Sequence, residues 1–124
     1  MANRNFSKVQ GLNKEIKLIA GSFSIAASGG AATKVTGLGY TVAKSATGTY
    51  TITLADAYNA CLAATATTQA ATAVNLVSQV TSVDVVTAKT VVIKLLAGAT
   101  ATEPSAVTVV NFVLVLQNSS LPSV

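Results

Sequence analysis

Few side chains in this sequence could take part in chemistry, and they do not combine into a catalytic set. The 124 residues include no His, a single cysteine (Cys61) and four carboxylates, which are Glu15, Asp56, Asp84 and Glu103. A Ser or Cys nucleophile is usually activated by a positioned base, most often His. A zinc site needs several Cys or His ligands. We therefore expect a protein that is not an enzyme and that binds no metal and no cofactor.

The cysteine and the carboxylates have structural explanations. Asp56 and Asp84 are far apart in the sequence and stand at the ends of strand-like segments, where carboxylates commonly bond to turn amides. Cys61 is flanked by small apolar residues, which favours a place in the core. The segment Gly37-Leu38-Gly39 lacks the third glycine of a dinucleotide-binding loop, and no Gly-Lys-Ser/Thr run is present for a phosphate loop.

The basic residues are concentrated at the N terminus. Four of the eight Lys and Arg residues lie within the first 17 positions, where Glu15 is the only acid. Gly11 and several Asn residues oppose a stable helix there, so we expect an extended arm over residues 1–15. The alternative is an unstructured terminus with no partner. The candidate partner-binding residues are the basic side chains and two apolar anchors: Arg4, Phe6, Lys8, Leu12, Lys14 and Lys17.

The composition of the whole chain favours association with other subunits. Hydrophobic residues make up 51% and charged residues only 10%, against about 25% charged in an average soluble domain. A surface of Thr, Ser and Ala costs less to desolvate than a charged one. No apolar stretch is long enough for a transmembrane helix or a signal peptide. One cysteine agrees with a reducing compartment, so we expect synthesis in a cytoplasm.

The first half of the sequence predicts a strand and a hairpin. A first strand is expected over residues 16–26, followed by a loop around the paired glycines at 29 and 30. Residues 39–54 alternate with a period of two on both sides of Ala46-Thr47-Gly48, which predicts a β-hairpin. Its Tyr, Ile and Leu residues should face inward and its Thr residues outward or toward another subunit.

The second half predicts further strands and one ambiguous segment. Residues 59–72 are nearly all Ala and Thr, so they could form a short helix or a long loop. Strand-like runs follow over residues 73–83, 84–96 and 106–117, with breaks at Gly98 and Pro104. The last run is apolar on both faces, which places it inside a sandwich or at a subunit interface. Six or seven strands indicate an antiparallel β-sandwich or jelly roll over residues 16–117, with a tail over 118–124.

The sequence resembles small virion structural proteins of tailed bacteriophages, and among them most closely capsid decoration (cement) proteins. The resemblance lies in MANRNFSKVQGLNKEIKLIAGSF, GLGYTVAKSATGTYTITLADAY and VVNFVLVLQNSS. It implies many copies on the outer surface of an icosahedral head, bound to the major capsid protein and stabilising the shell by bridging its subunits. It also implies a homo-oligomer, with a trimer favoured over a dimer, located in the virion after synthesis in the host cytoplasm.

Three other functions fit parts of the sequence. A tail, fibre or head-fibre component would have the same kind of body in far fewer copies. A carbohydrate-binding sandwich would need exposed aromatic rings, whereas Tyr40 and Tyr50 are predicted to face inward. A basic arm could also bind nucleic acid or an anionic membrane. Phe6 is the only aromatic residue among the first 17, which weakens the nucleic-acid reading, and we expect neither nucleic acid nor membrane as a partner.

Overall fold

Two antiparallel β-sheets form the body of the protein. The computed structural model describes residues 16–73 and 75–118, so the predicted arm and residues 119–124 of the predicted tail lie outside the described residues. The described part contains no helix, and the predicted all-β sandwich is confirmed. Its strands are β1 (Ile16–Ile25), β2 (Ala32–Thr36), β3 (Tyr40–Ala46), β4 (Thr49–Leu54), β5 (Ala60–Ala70), β6 (Val77–Asp84), β7 (Thr90–Ala97), β8 (Thr100–Ala101) and β9 (Thr108–Gln117).

The strand order explains which runs are apolar. The first sheet has the order β2-β1-β9-β5, and the second has the order β3-β4-β7-β6 with β8 beside β7. The predicted apolar last strand, β9, is paired along its whole length with β1 and with β5. Strands β4 and β7 hold the equivalent inner positions of the second sheet. The core lies between the sheets, and its largest fully buried side chains include Tyr50, Phe23, Ile25, Ile52 and Leu114.

The predicted hairpin is present as β3 and β4. Tyr40 pairs with Leu54 and Lys44 pairs with Tyr50, and Gly48 makes the turn with a φ of +61°. Tyr50, Ile52 and Leu54 are buried, whereas Thr53 is exposed. The period-two pattern therefore identified both the strands and the face that enters the core.

The prediction of a helix or loop over residues 59–72 was wrong. The segment forms β5, an 11-residue strand that pairs with β9. The helix propensity of Ala amounts to a fraction of 1 kcal/mol per residue, and pairing with β9 along the strand, interrupted by one bulge between Cys61 and Ala63, outweighs it. The small side chains of Ala64 and Ala66 pack against the core, where larger side chains would separate the sheets.

Two further strands were not predicted, and two boundaries were misplaced. Nine strands are present in the described residues, instead of six or seven, because β5 was not expected as a strand and because β2 and β8 are short and show no clear alternation. The run predicted over 73–83 begins four residues too early, since β6 starts at Val77. The run predicted over 84–96 begins six residues too early, since Asp84 ends β6 and residues 85–88 form a turn. Asp84 takes the predicted turn role: its Oδ1 accepts a hydrogen bond from the Thr87 N–H at 3.0 Å. That bond lowers the pKa of Asp84.

Tyr40 connects the two sheets. Although it begins β3, its hydroxyl bonds to the carbonyl oxygens of Ser22 (3.0 Å) and Thr36, both in the first sheet. Its ring stands edge-on to that of Phe112, with the centroids 4.9 Å apart. The ring lies over Gly21, where a Cβ atom would collide with it. The absence of a side chain at Gly21 therefore makes room for the link.

Tyr50 is buried in a different way. Its side chain is fully buried, and its hydroxyl has no hydrogen-bond partner among the described residues. Burial and the negative charge of Glu103 raise the pKa of Tyr50 to about 12. Glu103 itself forms an ion pair with Lys44, whose Nζ also donates to the Gly29 carbonyl oxygen at 2.9 Å. The two tyrosines thus differ in whether the hydroxyl is bonded.

We predict opposite effects for removing these two hydroxyls. Tyr40→Phe should destabilise the fold by about 1–3 kcal/mol, because it removes the single hydroxyl donor that two carbonyl oxygens share. Tyr50→Phe is the matched control and should be neutral, or stabilising by up to about 1 kcal/mol, because it removes a buried polar group without a partner. Urea unfolding of both variants measures the difference. Equal destabilisation would contradict the bonding described for Tyr40.

Tyr50 also predicts a loss of stability at alkaline pH. Its folded-state pKa lies above the value of about 10 expected in the unfolded chain. Between about pH 10 and 12 the unfolded chain releases this proton while the folded chain keeps it, so stability falls as the pH rises. In Tyr50→Phe the urea midpoint should therefore fall less between pH 9 and pH 11 than in the wild type. Parallel pH profiles for the two proteins would refute this.

Candidate interaction surface

A groove lies beside the first half of β1. Strand β2 pairs with β1 only from Ser22 to Ile25, so residues 16–21 have β9 as their one neighbouring strand among the described residues. The space where β2 would continue is a groove of about 400 Å³. Its lining includes Lys17, Leu18, Ala20, Leu38, Asp56 and Tyr58.

Leu38 projects from the loop that forms one wall of this groove. It is 87% exposed, which is the highest value among the large exposed hydrophobic residues of the described chain. The flanking Gly37 and Gly39 have φ angles of +103° and +85°, a backbone region that favours glycine. A Cβ atom on Gly37 would lie 2.6 Å from the Ala20 carbonyl oxygen. The loop therefore packs closely on β1 and presents Leu38 to solvent.

Bonds on both sides hold the Leu38 loop in place. The Ala55 N–H donates to the Gly39 carbonyl oxygen at 2.9 Å, which attaches the loop to the end of β4. Lys34 Nζ donates to the Tyr40 carbonyl oxygen at 3.1 Å and lies 4.5 Å from the centre of the Tyr40 ring. On the β2 side of the loop, the Tyr40 hydroxyl donates a hydrogen bond to the Thr36 carbonyl oxygen. Leu38 is thus an apolar side chain on a fixed backbone, which lowers the entropy lost when it binds.

Both signs of charge lie at the groove. Lys17 and Asp56 are exposed members of its lining, and Tyr58 is buried behind them. Burial and the charge of Asp56 raise the pKa of Tyr58. A partner could therefore meet an apolar anchor, a cation and a carboxylate within one small area.

Of the six residues predicted to bind a partner, only Lys17 lies within the described residues. It is exposed near the start of β1, at the groove. The other five, Arg4, Phe6, Lys8, Leu12 and Lys14, lie outside the described residues. Leu38 was not predicted as a binding residue, although it is a large apolar residue between two glycines, in a position where turns usually carry polar residues.

The remaining candidates for chemistry are dispersed. Cys61 is half-buried near the start of β5 and packs against the core, as predicted. Burial raises the pKa of its thiol. Within residues 16–73 and 75–118, no group of three or more His, Cys, Asp or Glu side chains could hold a metal ion. The same part of the chain has no helix long and apolar enough to cross a membrane.

Comparisons with known proteins give no match. No family model, no curated protein and no solved structure matches this chain.

The two glycines beside Leu38 should differ in their tolerance of alanine. Gly37→Ala should destabilise the fold by about 2–4 kcal/mol, because the new Cβ would meet both the Ala20 carbonyl and the Tyr40 ring. Gly39→Ala is the control, because its Cβ would have Ile19 Cδ1 at 3.8 Å as its nearest neighbour. It should cost only the backbone strain of about 1 kcal/mol. Urea unfolding compares them, and equal losses would contradict the close packing of Gly37.

Proposed function

We propose that this chain is a virion structural protein that binds the outer surface of an icosahedral phage head and stabilises it by bridging shell subunits. The observation that carries the proposal is the position of Leu38. This exposed apolar side chain shares a groove with Lys17, close to the point where the basic N-terminal segment joins β1. The basic segment and the apolar anchor can therefore reach one partner surface together.

The composition of this surface suits attachment to a large assembly. Arg and aromatic residues contribute most often to binding hot spots, and the N-terminal segment contains Arg4 and Phe6. Lys8, Lys14 and Lys17 would pair with acidic patches on the major capsid protein. Each single contact of this size is weak, but symmetry repeats it over the shell, and a bridging subunit gains from avidity.

The body suits a role that requires stiffness. Two sheets enclose one core, and Tyr40 joins them through hydrogen bonds. Self-association is part of the proposal, with the trimer favoured by the resemblance to decoration proteins. The protein would then act as a rigid link between neighbouring shell subunits.

A tail or fibre component is the second candidate, because the same surface could serve there. The carbohydrate-binding alternative loses support, since every Phe and Tyr among the described residues is buried. Sugar sites usually stack a ring on an exposed aromatic side chain, and none is available in that part of the chain.

The copy number of this chain relative to the major capsid protein in purified particles tests the proposal. A ratio near one, or a simple fraction of it, is the expected result for an icosahedral decoration protein. A handful of copies per particle would indicate instead that the protein is located in the tail or at a vertex. Absence from the particles would overturn the virion role.

Rebinding to heads stripped of this protein tests the surface. Removing residues 1–15 leaves β1 intact and should abolish binding, and Leu38→Asp should weaken it about 10- to 100-fold. The control is Val77→Asp, which alters another exposed apolar residue on the second sheet. Binding should also weaken as salt rises, since exposed charges are screened. Full binding by both test variants would exclude this surface.

A further inference from the structure

We infer that the outer face of the first sheet binds a second copy of this chain, face to face. This face consists of every second residue of β9 from Val109 to Val115 and of the residues paired with them on β1 and β5. The inference concerns the isolated protein and does not depend on the head-binding proposal.

The outer face carries no charge on its three long strands. Val113 lies between Ala20 and Thr65, and Val115 lies between Leu18 and Ala63. Val109 and Asn111 likewise each lie between one residue of β1 and one of β5. Those four neighbours are all Ser, Thr or Gln. The outer face of the second sheet differs, because Lys94 lies on it in register with Thr49. Only the first sheet therefore offers a neutral surface of this extent within the described residues.

Apolar side chains remain exposed on the outer face. Val113 is 42% exposed even though it belongs to a central strand, and Leu18 is 44% exposed. The Leu62 side chain, at the bulge of β5, is 41% exposed. Contiguous exposed apolar groups on a sheet mark an interaction site more often than scattered ones do.

The polar side chains on this face already bond to one another. Asn111 Nδ2 donates to Gln69 Oε1 at 3.3 Å, from β9 to β5. Ser22 and Thr36 share a hydrogen bond of 2.8 Å between their hydroxyl oxygens, from β1 to β2. Burying a polar group costs most when it loses its partner, and these groups would keep theirs. The face can thus be covered without help from a polar partner.

A second copy fits these properties better than a charged partner does. A charged surface would have to desolvate its own ions against a face that has no opposite charge. The same face from another copy brings no charge and presents the same exposed Val113 and Leu18 side chains. A face-to-face contact is isologous and closes as a two-fold dimer. That geometry differs from the trimer favoured by the resemblance.

The size of the face limits the contact to a weak dimer. Seven residues of β9 span about 24 Å, and three strands with their side chains cover a width of about 15 Å. The contact would bury about 350 Å² on each copy, or about 700 Å² in total, which lies below the size of stable interfaces and within the range of weak, transient ones. We therefore expect a dissociation constant in the upper micromolar range.

Sedimentation equilibrium on the full chain, without phage particles, tests the inference from about 1 to 300 μM. The wild type should show a monomer–dimer equilibrium. Val113→Lys should raise the dissociation constant at least about 100-fold, because an unpaired ammonium group would be buried. Thr65→Lys, on a different strand of the same face, should also raise the dissociation constant. Val77→Lys is the matched control on the second sheet and should dimerise like the wild type.

Several results would overturn the inference. These are a wild-type monomer at the highest concentration, a larger oligomer that the two test variants leave unchanged, or an equal effect of Val77→Lys. Circular dichroism and urea unfolding establish that each variant is folded. If the lysine variants fail to fold, Val113→Thr replaces them, since it keeps the shape and adds no charge. It should raise the dissociation constant about 5-fold, and an unchanged constant would exclude the face.

Discussion

The fold depends most on the contact between Tyr40 and the first sheet. The hydroxyl of this residue bonds to backbone oxygens of β1 and β2 while its own backbone belongs to the second sheet. The ring needs the space above Gly21 and also lies against the backbone at Gly37. One side chain thus fixes the distance between the sheets, the path of the loop after β2 and the exposure of Leu38. The surface proposed to bind the head is therefore a consequence of core packing.

At the opposite end of the sandwich, an ion pair between Lys44 and Glu103 takes the place of a hydrogen-bonded tyrosine. Lys44 joins Glu103 and the Gly29 carbonyl oxygen, and the Ser28 N–H donates to the Pro104 carbonyl oxygen at 3.1 Å. These contacts attach two loops to the edge of the second sheet. The nearby Tyr50 hydroxyl stays without a partner among the described residues, so this end contains a polar group whose burial is not offset by a hydrogen bond.

Sequence patterns predicted the parts of the fold in which packing is repetitive. The hairpin of β3 and β4 and the apolar strand β9 follow directly from alternation and composition. Strand β5 could not be predicted from its residues, since Ala and Thr have weak preferences and the pairing with β9 comes from tertiary structure. The neutral outer face of the first sheet could not be predicted either, because it depends on the register among β1, β9 and β5. The two glycines beside Leu38 indicated an unusual loop, but the exposure of Leu38 results from the close approach of Gly37 to β1, which depends on tertiary structure.

The strand register also gives the molecule two distinct ends. Tyr40 pairs with Leu54 at the end that holds Leu38, while at the other end the Leu95 N–H donates to the Gly48 carbonyl oxygen at 2.9 Å. The turn after β7 lies at that second end, and among the described residues no atom other than those of Gly98 and its chain neighbours lies within 4 Å of a Cβ built on Gly98, whose φ is +65°. If the Leu38 end faces a shell, this turn points away from it. A foreign peptide inserted between Gly98 and Ala99 would then be displayed outward, which makes the protein a scaffold for presenting epitopes on a particle.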